Sequence, residues 1–125
     1  PKNSKVVILG LTFKENCPDT RNSKVEDIIK RMAEYDIKPI VVDPWASRED
    51  AKKEYGVTLT DFSEVKDADC VIVAVAHNEF KALSLESIKG LFRKDIEDSQ
   101  KVLIDVKGLY AVSDLENSGM SYWRL

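Results

Sequence analysis

Lys14, Arg21 and Lys107 are the side chains of this 125-residue chain whose positions imply chemistry. Lys14 and Arg21 fall in the polar segment that follows the apolar run Val6-Val7-Ile8-Leu9-Gly10 and precedes a helical pattern beginning near Ser23. A buried-type strand that opens into such a loop and then a helix puts the loop at the carboxyl edge of a sheet, where open α/β folds bind ligands. Free N–H groups and the macrodipole at a helix N-terminus favour an anion, and two nearby cations deepen that well. Arginine adds bidentate recognition of phosphate. Lys107, in Asp105-Val106-Lys107-Gly108, follows another apolar run and brings a third cation to the same edge. Cations at separate strand ends mark an anion site more specifically than one loop does. A solvated, charged loop is the competing reading.

Other candidates carry less. Gly10 does not open G-x-G-x-x-G, because Thr12 and Asn16 carry side chains where that dinucleotide fingerprint wants glycine. Asp43, closing a second apolar run, stands where a ribose-binding acid would be, yet Asp43-Pro44 also reads as turn chemistry. Cys17 and His77 suggest a nucleophile and its base, but no third partner is evident. His77 reads better as a ligand-edge or interface residue. One histidine and scattered carboxylates give no metal-ligand spacing. Trp45, Tyr110 and Trp123 are core residues or interface anchors, with Trp45, beside a turn, the one expected to be exposed.

The elements that must position these residues alternate along the chain. Apolar runs predict strands at 5–10, 38–43, 57–59, 70–75, 101–105 and 122–124. Ser23-Lys24-Val25-Glu26 reads as a capping box opening a helix whose stripe is Val25, Ile28, Ile29 and Met32. Ser47 to Asp50 repeats that spacing, and Gly56 ends the helix. Short helical stretches follow at 61–65, 84–92 and 113–117. Cys70 to Val75 lacks alternation, as a central parallel strand covered on both faces should. The expected fold is α/β: a three-layer, doubly wound Rossmann-like domain over residues 1–125, its open, mostly parallel sheet having about six strands in the order 3-2-1-4-5-6.

Composition sets the outer bounds. A net charge of −3 disfavours nucleic acid as the main partner. No apolar run approaches the roughly 20 residues of a membrane span. Two cysteines make no disulfide scaffold, and Cys70 reads as a small core residue in a reducing cytoplasmic setting. The start at Pro1, without an initiator methionine, suggests a piece of a longer protein.

Gly10-Leu11-Thr12-Phe13-Lys14 followed by Asp19-Thr20-Arg21-Asn22-Ser23 resembles the signature opening the C-terminal domain of the UDP-glucose/GDP-mannose dehydrogenase family. Val42-Asp43-Pro44, Asp67 to Val73 and Asp105-Val106-Lys107-Gly108 recur at that family's spacing, so the resemblance covers essentially the whole chain. Phe-Lys-Glu-Asn-Cys-Pro-Asp from Phe13 and Ala-His-Asn-Glu-Phe from Ala76 are most similar to the bacterial branch that oxidises UDP-N-acetylhexosamines for surface polysaccharides. The resemblance implies a full enzyme that converts the sugar's C6 alcohol to a carboxylate in two NAD-linked steps. It implies an N-terminal NAD-binding domain, a catalytic cysteine outside this chain and a homo-oligomer. It also implies that Phe13 and Lys14 contact the nucleotide sugar and that Arg21 touches NAD across the domain gap. Lys107 stands where many UDP-glucose enzymes have a substrate-binding arginine. Cys17 is not the catalytic cysteine, and the chain alone is expected to bind UDP-sugar weakly and turn over nothing. A UDP-glucose or GDP-mannose dehydrogenase is the sibling alternative. Receiver-like and assembly modules are the alternatives from other classes.

Overall fold

A computed structural model describes residues 4–12, 16–17 and 24–124 of the chain. Five strands form one parallel sheet: β1 (Val6–Leu9), β2 (Ile40–Val42), β3 (Cys70–Val73), β4 (Val102–Asp105) and β5 (Ser121–Arg124), in the spatial order β2-β1-β3-β4-β5. The helices are α1 (Val25–Glu34), α2 (Arg48–Tyr55), α3 (Asn78–Lys81), α4 (Leu85–Lys89) and α5 (Val112–Ser118). No helix among the described residues is long and apolar enough to cross a membrane.

Successive strand residues point to opposite faces, so each apolar run feeds two cores. Val7, Leu9, Val71, Val73 and Leu103 pack on one side with Ile88, Phe92 and Leu115. Val6, Ile8, Val41, Ile72 and Ala74 pack on the other with Val25 and Ala51, joined by the half-buried Ile28, Ile29 and Met32 of α1. Both faces being covered is what removes alternation from β1 and β3.

The expected α/β architecture is the observed one, with local differences. Residues 57–59 make no strand: Leu59 forms a single parallel bridge to Val41. That bridge is made by the Thr60 N–H, which donates to the Val41 carbonyl at 2.9 Å, while the Leu59 carbonyl accepts from the Arg48 guanidinium at 2.6 Å. The remaining five strands keep the expected neighbour order. The helix expected at 84–92 stops at Lys89. Beyond it Leu91 accepts from the Ala68 N–H at 2.9 Å and Arg93 donates to the Ala68 carbonyl at 3.1 Å, so this segment turns extended while Phe92 stays buried. Ser47 caps α2 as read, accepting from the Asp50 N–H at 3.2 Å, and Gly56 closes it at φ 67°. Residues 61–65 contain only a 3-10 turn at Phe62–Glu64. Ser23 lies outside the described residues, and α1 begins one residue after Lys24.

Gly10 is where backbone geometry dictates the residue. Its φ is 111°, and a Cβ there would lie 2.6 Å from Val75 Cβ and 2.8 Å from Val75 N. β1 can therefore hand over to its loop only if residue 10 has no side chain. Gly10→Ala is expected to cost about 3 kcal/mol of unfolding free energy, strain and overpacking combined, measured as a lower urea midpoint.

Candidate functional site

Strand order reverses between β1 and β3: the chain goes one way from β1 to β2 and the other way to β3, β4 and β5. The crevice at the carboxyl ends of strands at such a switch point is where this class of sheet takes ligands. Here it holds a knot of hydrogen bonds around one carboxylate.

Asp43 follows β2 and is buried. Its Oδ2 accepts from the Leu11 N–H at 2.6 Å, the Thr12 N–H at 3.0 Å and His77 Nε2 at 3.0 Å. Its Oδ1 accepts from the Trp45 N–H at 2.8 Å and the Ala46 N–H at 3.1 Å. Burial works to raise the Asp43 pKa. The hydrogen bonds from His77 and the Leu11 and Thr12 amides outweigh it and hold the carboxyl below its ordinary value.

His77, just past β3, is fully buried. Its Nδ1 accepts from the Asn16 N–H at 2.8 Å. A backbone amide can only donate, so Nδ1 is unprotonated and Nε2 carries the proton. That proton points at Asp43 Oδ2 and at Thr12 Oγ1, each 3.0 Å from Nε2. Trp45 stacks on the imidazole with centroids 6.1 Å apart, Phe80 tilts against it, and the Trp45 indole N–H donates to Glu79 at 2.8 Å. Asn16 sits at φ 54°, a left-handed conformation asparagine tolerates, and its Oδ1 accepts from the Asn78 N–H at 3.0 Å. The loops after β1, β2 and β3 are thus joined side by side.

The next strand end repeats the device in smaller form. Asp105, fully buried at the end of β4, accepts from the Leu109 N–H at 3.0 Å and the Tyr110 N–H at 2.9 Å. The Tyr110 hydroxyl donates to the Leu83 carbonyl at 3.0 Å, and burial, then the Asp105 charge, push its pKa up to about 12. The turn so held carries Lys107, which is exposed, and Gly108 at φ 66°. The Arg124 guanidinium lies over Gly108, where a Cβ would meet it at 3.0 Å. Two cations therefore stand at the ends of β4 and β5.

Of the residues expected to form the anion site, Lys107 is at the carboxyl edge as read. Phe13, Lys14 and Arg21 lie outside the described residues. The ribose-acid reading of Asp43 fails, because both its oxygens are taken by protein donors. With Thr12 in place of a fingerprint glycine as well, this mouth does not fit a dinucleotide held in the Rossmann manner. His77 is a buried structural partner and not an exposed ligand-edge residue. Trp45 is 36% exposed and engaged on both its ring and its N–H, whereas Trp123 is 58% exposed. Cys70 is only part-buried; desolvation, then the neighbouring Asp69 charge, push its thiol up to about 11, which keeps it protonated. A cleft of about 380 Å³ opens beside the clamp between β2 and α3. Its charges are spent internally: Arg48 pairs with Asp61, and Glu79 with Trp45.

Asn16 and the pairing of Asp43 with His77 are what the sequence reading missed. The signals present were an aspartate directly after one apolar run, a lone histidine directly after another, and an asparagine in the loop after the first.

The chain matches the model of the UDP-glucose/GDP-mannose dehydrogenase family, UDP binding domain, over residues 7–112. It is 47% identical over 106 residues to a UDP-N-acetyl-D-glucosamine 6-dehydrogenase of Pseudomonas aeruginosa, covering 85% of this chain and 24% of that protein. It is 37% identical over 124 residues to protein CapL of Staphylococcus aureus, covering 99% and 28%. Among solved structures, the UDP-N-acetyl-mannosamine dehydrogenase Cap5O of Staphylococcus aureus superposes with a TM-score of 0.66 at 28% identity, over 99% of this chain and 26% of that one. An NDP-N-acetyl-D-galactosaminuronic acid dehydrogenase from Methanosarcina mazei Go1 shares the fold, with a TM-score of 0.78 at 22% identity over 97% of this chain and 24% of the other. The chain spans about a quarter of the length of these relatives.

Asp43→Asn is expected to cost about 2–3 kcal/mol at neutral pH, because an amide cannot accept from all these donors. The native carboxyl is depressed, so its stabilisation is complete above the ordinary aspartate pKa, about 4, and disappears as pH falls through its folded value. Urea unfolding of both proteins below about pH 4 is accordingly expected to bring their midpoints together.

Proposed function

The chain belongs to the UDP-glucose/GDP-mannose dehydrogenase family, as its UDP-binding domain, and from this premise we propose that residues 1–125 form the nucleotide-sugar-binding domain of a cytoplasmic UDP-sugar 6-dehydrogenase. The family match over residues 7–112 carries the reading, since it takes in the loops after β1 and β4 that hold Phe13, Lys14, Arg21 and Lys107. The substrate class is a UDP-N-acetylhexosamine. Relatives at 47% and 44% identity bear the name UDP-N-acetyl-D-glucosamine 6-dehydrogenase, and this favours an acetamido sugar over glucose. The product serves surface polysaccharide synthesis.

The work of this domain is binding. The ends of β1 and β4 are separated by β3 alone, roughly 10 Å at ordinary strand spacing, a span that a diphosphate and two lysine side chains bridge. Lys14 and Lys107 neutralise the diphosphate, and Phe13 packs against the nucleotide sugar. Across the whole reaction the C6 alcohol loses two hydrides, to two NAD in turn, and gains one oxygen from water to become the carboxylate. Among the described residues the crowded clamp leaves no dinucleotide cradle. The NAD-binding domain and the catalytic residues accordingly belong to a further part of the enzyme, with Arg21 the contact from this side. The full enzyme is a homo-oligomer.

Calorimetric titration of the chain with UDP tests this reading. Lys14→Ala and Lys107→Ala are each expected to weaken binding about tenfold or more, the worth of one charge-assisted hydrogen bond. Unchanged affinity in either variant removes that lysine from the site. Incubation of the chain with NAD and UDP-N-acetylglucosamine is expected to give no absorbance of NADH, and NADH formation would return the catalytic residues to this domain.

A further inference from the structure

We propose that the outer edge of β5 is a surface on which two copies of this chain pair, β5 against β5, antiparallel and centred on Trp123. This names a contact for the homo-oligomer proposed above and stands apart from the UDP-sugar reading. The sheet has two edges, β2 and β5, and they differ. Beside β2 runs the segment 57–60, whose Thr60 N–H donates to the Val41 carbonyl at 2.9 Å. Beside β5 no segment among the described residues takes that place. The strand, Ser-Tyr-Trp-Arg, holds two aromatic strand formers and neither proline nor lysine to turn a neighbour away.

The ladder sets the register. The Ser121 N–H donates to the Lys101 carbonyl at 3.0 Å, so alternation along the strand aims the backbone groups of Ser121 and Trp123 at β4 and those of Tyr122 and Arg124 outward. The register centred on Trp123 is the one that pairs both outward residues within the strand. Tyr122 then faces Arg124 of the second copy, and Arg124 faces its Tyr122. Each of these pairs exchanges N–H···O=C bonds in both directions. The two Trp123 residues form the closely spaced pair between them, with Cα atoms about 4.5 Å apart.

The side chains suit this pairing. Trp123 stands beside Ile104 in the β4–β5 register, on the face whose helical cover comes from α1 and α2. Those helices belong to the crossovers from β1 and β2, whereas α4 and α5, which flank β4 in sequence, pack Ile88 and Leu115 on the other face. Trp123 is therefore left exposed beside the half-buried Ile104. A second Trp123 directly opposite gives a cross-strand aromatic pair. On the opposite face, Arg124 of the second copy comes against the ring of Tyr122, whose hydroxyl is 3.5 Å from a Glu116 carboxylate oxygen. A guanidinium thus meets an aromatic ring and an acid, and no like charges oppose each other in these pairs.

Sedimentation equilibrium of the chain under reducing conditions is expected to show a monomer–dimer equilibrium with a dissociation constant on the order of 10–100 μM, the range of a small interface. Trp123→Lys sets like charges opposite each other, and Arg124→Pro removes an outward N–H that β4 does not use. Each is expected to weaken the dimer by more than about tenfold, the worth of one net hydrogen bond or more. Trp123→Lys is expected to keep the UDP affinity of the unsubstituted chain. Cross-linking tests the register without relying on either variant's fold. In a Cys17→Ser, Cys70→Ser background, oxidised Trp123→Cys is expected to yield a disulfide-linked dimer, because facing Cα atoms at that spacing lie within disulfide range. Tyr35→Cys, exposed at the end of α1, is expected to stay unlinked. A chain that remains monomeric at about 1 mM, well above that range, would overturn the proposal. So would a dimer that Trp123→Lys does not weaken and Trp123→Cys does not link. Absence of UDP binding would overturn the UDP-sugar reading and leave this pairing standing.

Discussion

A buried negative charge is stable only when enough donors converge on it, and at the switch point of this sheet that requirement is met by Asp43. Its donors come from the loop after β1, the turn after β2 and the ring that follows β3. Each loop is thereby held by a residue belonging to another crossover. The carboxylate links segments 31 to 34 residues apart in sequence, and losing any one donor leaves the charge short of compensation. Burial of the sheet positions the strands. The clamp positions what leaves them.

The same arrangement decides what this edge can recognise. In a dinucleotide fold the acid after the second strand faces a ribose hydroxyl, and glycines let the backbone approach a pyrophosphate. Here that acid turns inward, and Thr12, whose N–H is bound to it, replaces a glycine. Asp105 turns inward in the same way beneath Lys107. Both strand-end carboxylates are consumed by N–H donors, so at the turn after β4 the charge left facing outward is that of Lys107.

The strands were legible because covering both faces of a parallel sheet leaves uninterrupted apolar runs, and their neighbour order followed from right-handed crossovers. Residues 57–59 read as a strand from their apolar pattern, and they do lie beside β2, but they meet it through one bridge only, an extent that local pattern does not show. α3 has four residues, too few to show a helical period. Asp43 and His77 each drew attention singly, Asp43 as a ligand-reading acid and His77 as an edge residue. Their pairing needed two crossovers to be built before it existed. Phe13 rests on resemblance alone, and Lys14 and Arg21 on their place after the first apolar run together with that resemblance, since none of them belongs to a hydrophobic period.

Strand order 2-1-3-4-5 is shared by unrelated ligand-binding and signalling domains, so the sheet alone says little about what sits on it. A phosphoacceptor receiver would need its carboxylates at the end of β1, free to hold magnesium. β1 ends in buried Leu9 and Gly10, and the nearest acid, Asp43, is saturated by N–H donors. A neutral imidazole wedged between that acid and the Asn16 amide is incompatible with a metal at the same place, because both ring nitrogens are already committed. The distinction between the two uses of this architecture thus reduces to where the aspartate points: outward, it gathers a cation, and inward, it is saturated by the backbone amides and the imidazole of neighbouring crossovers.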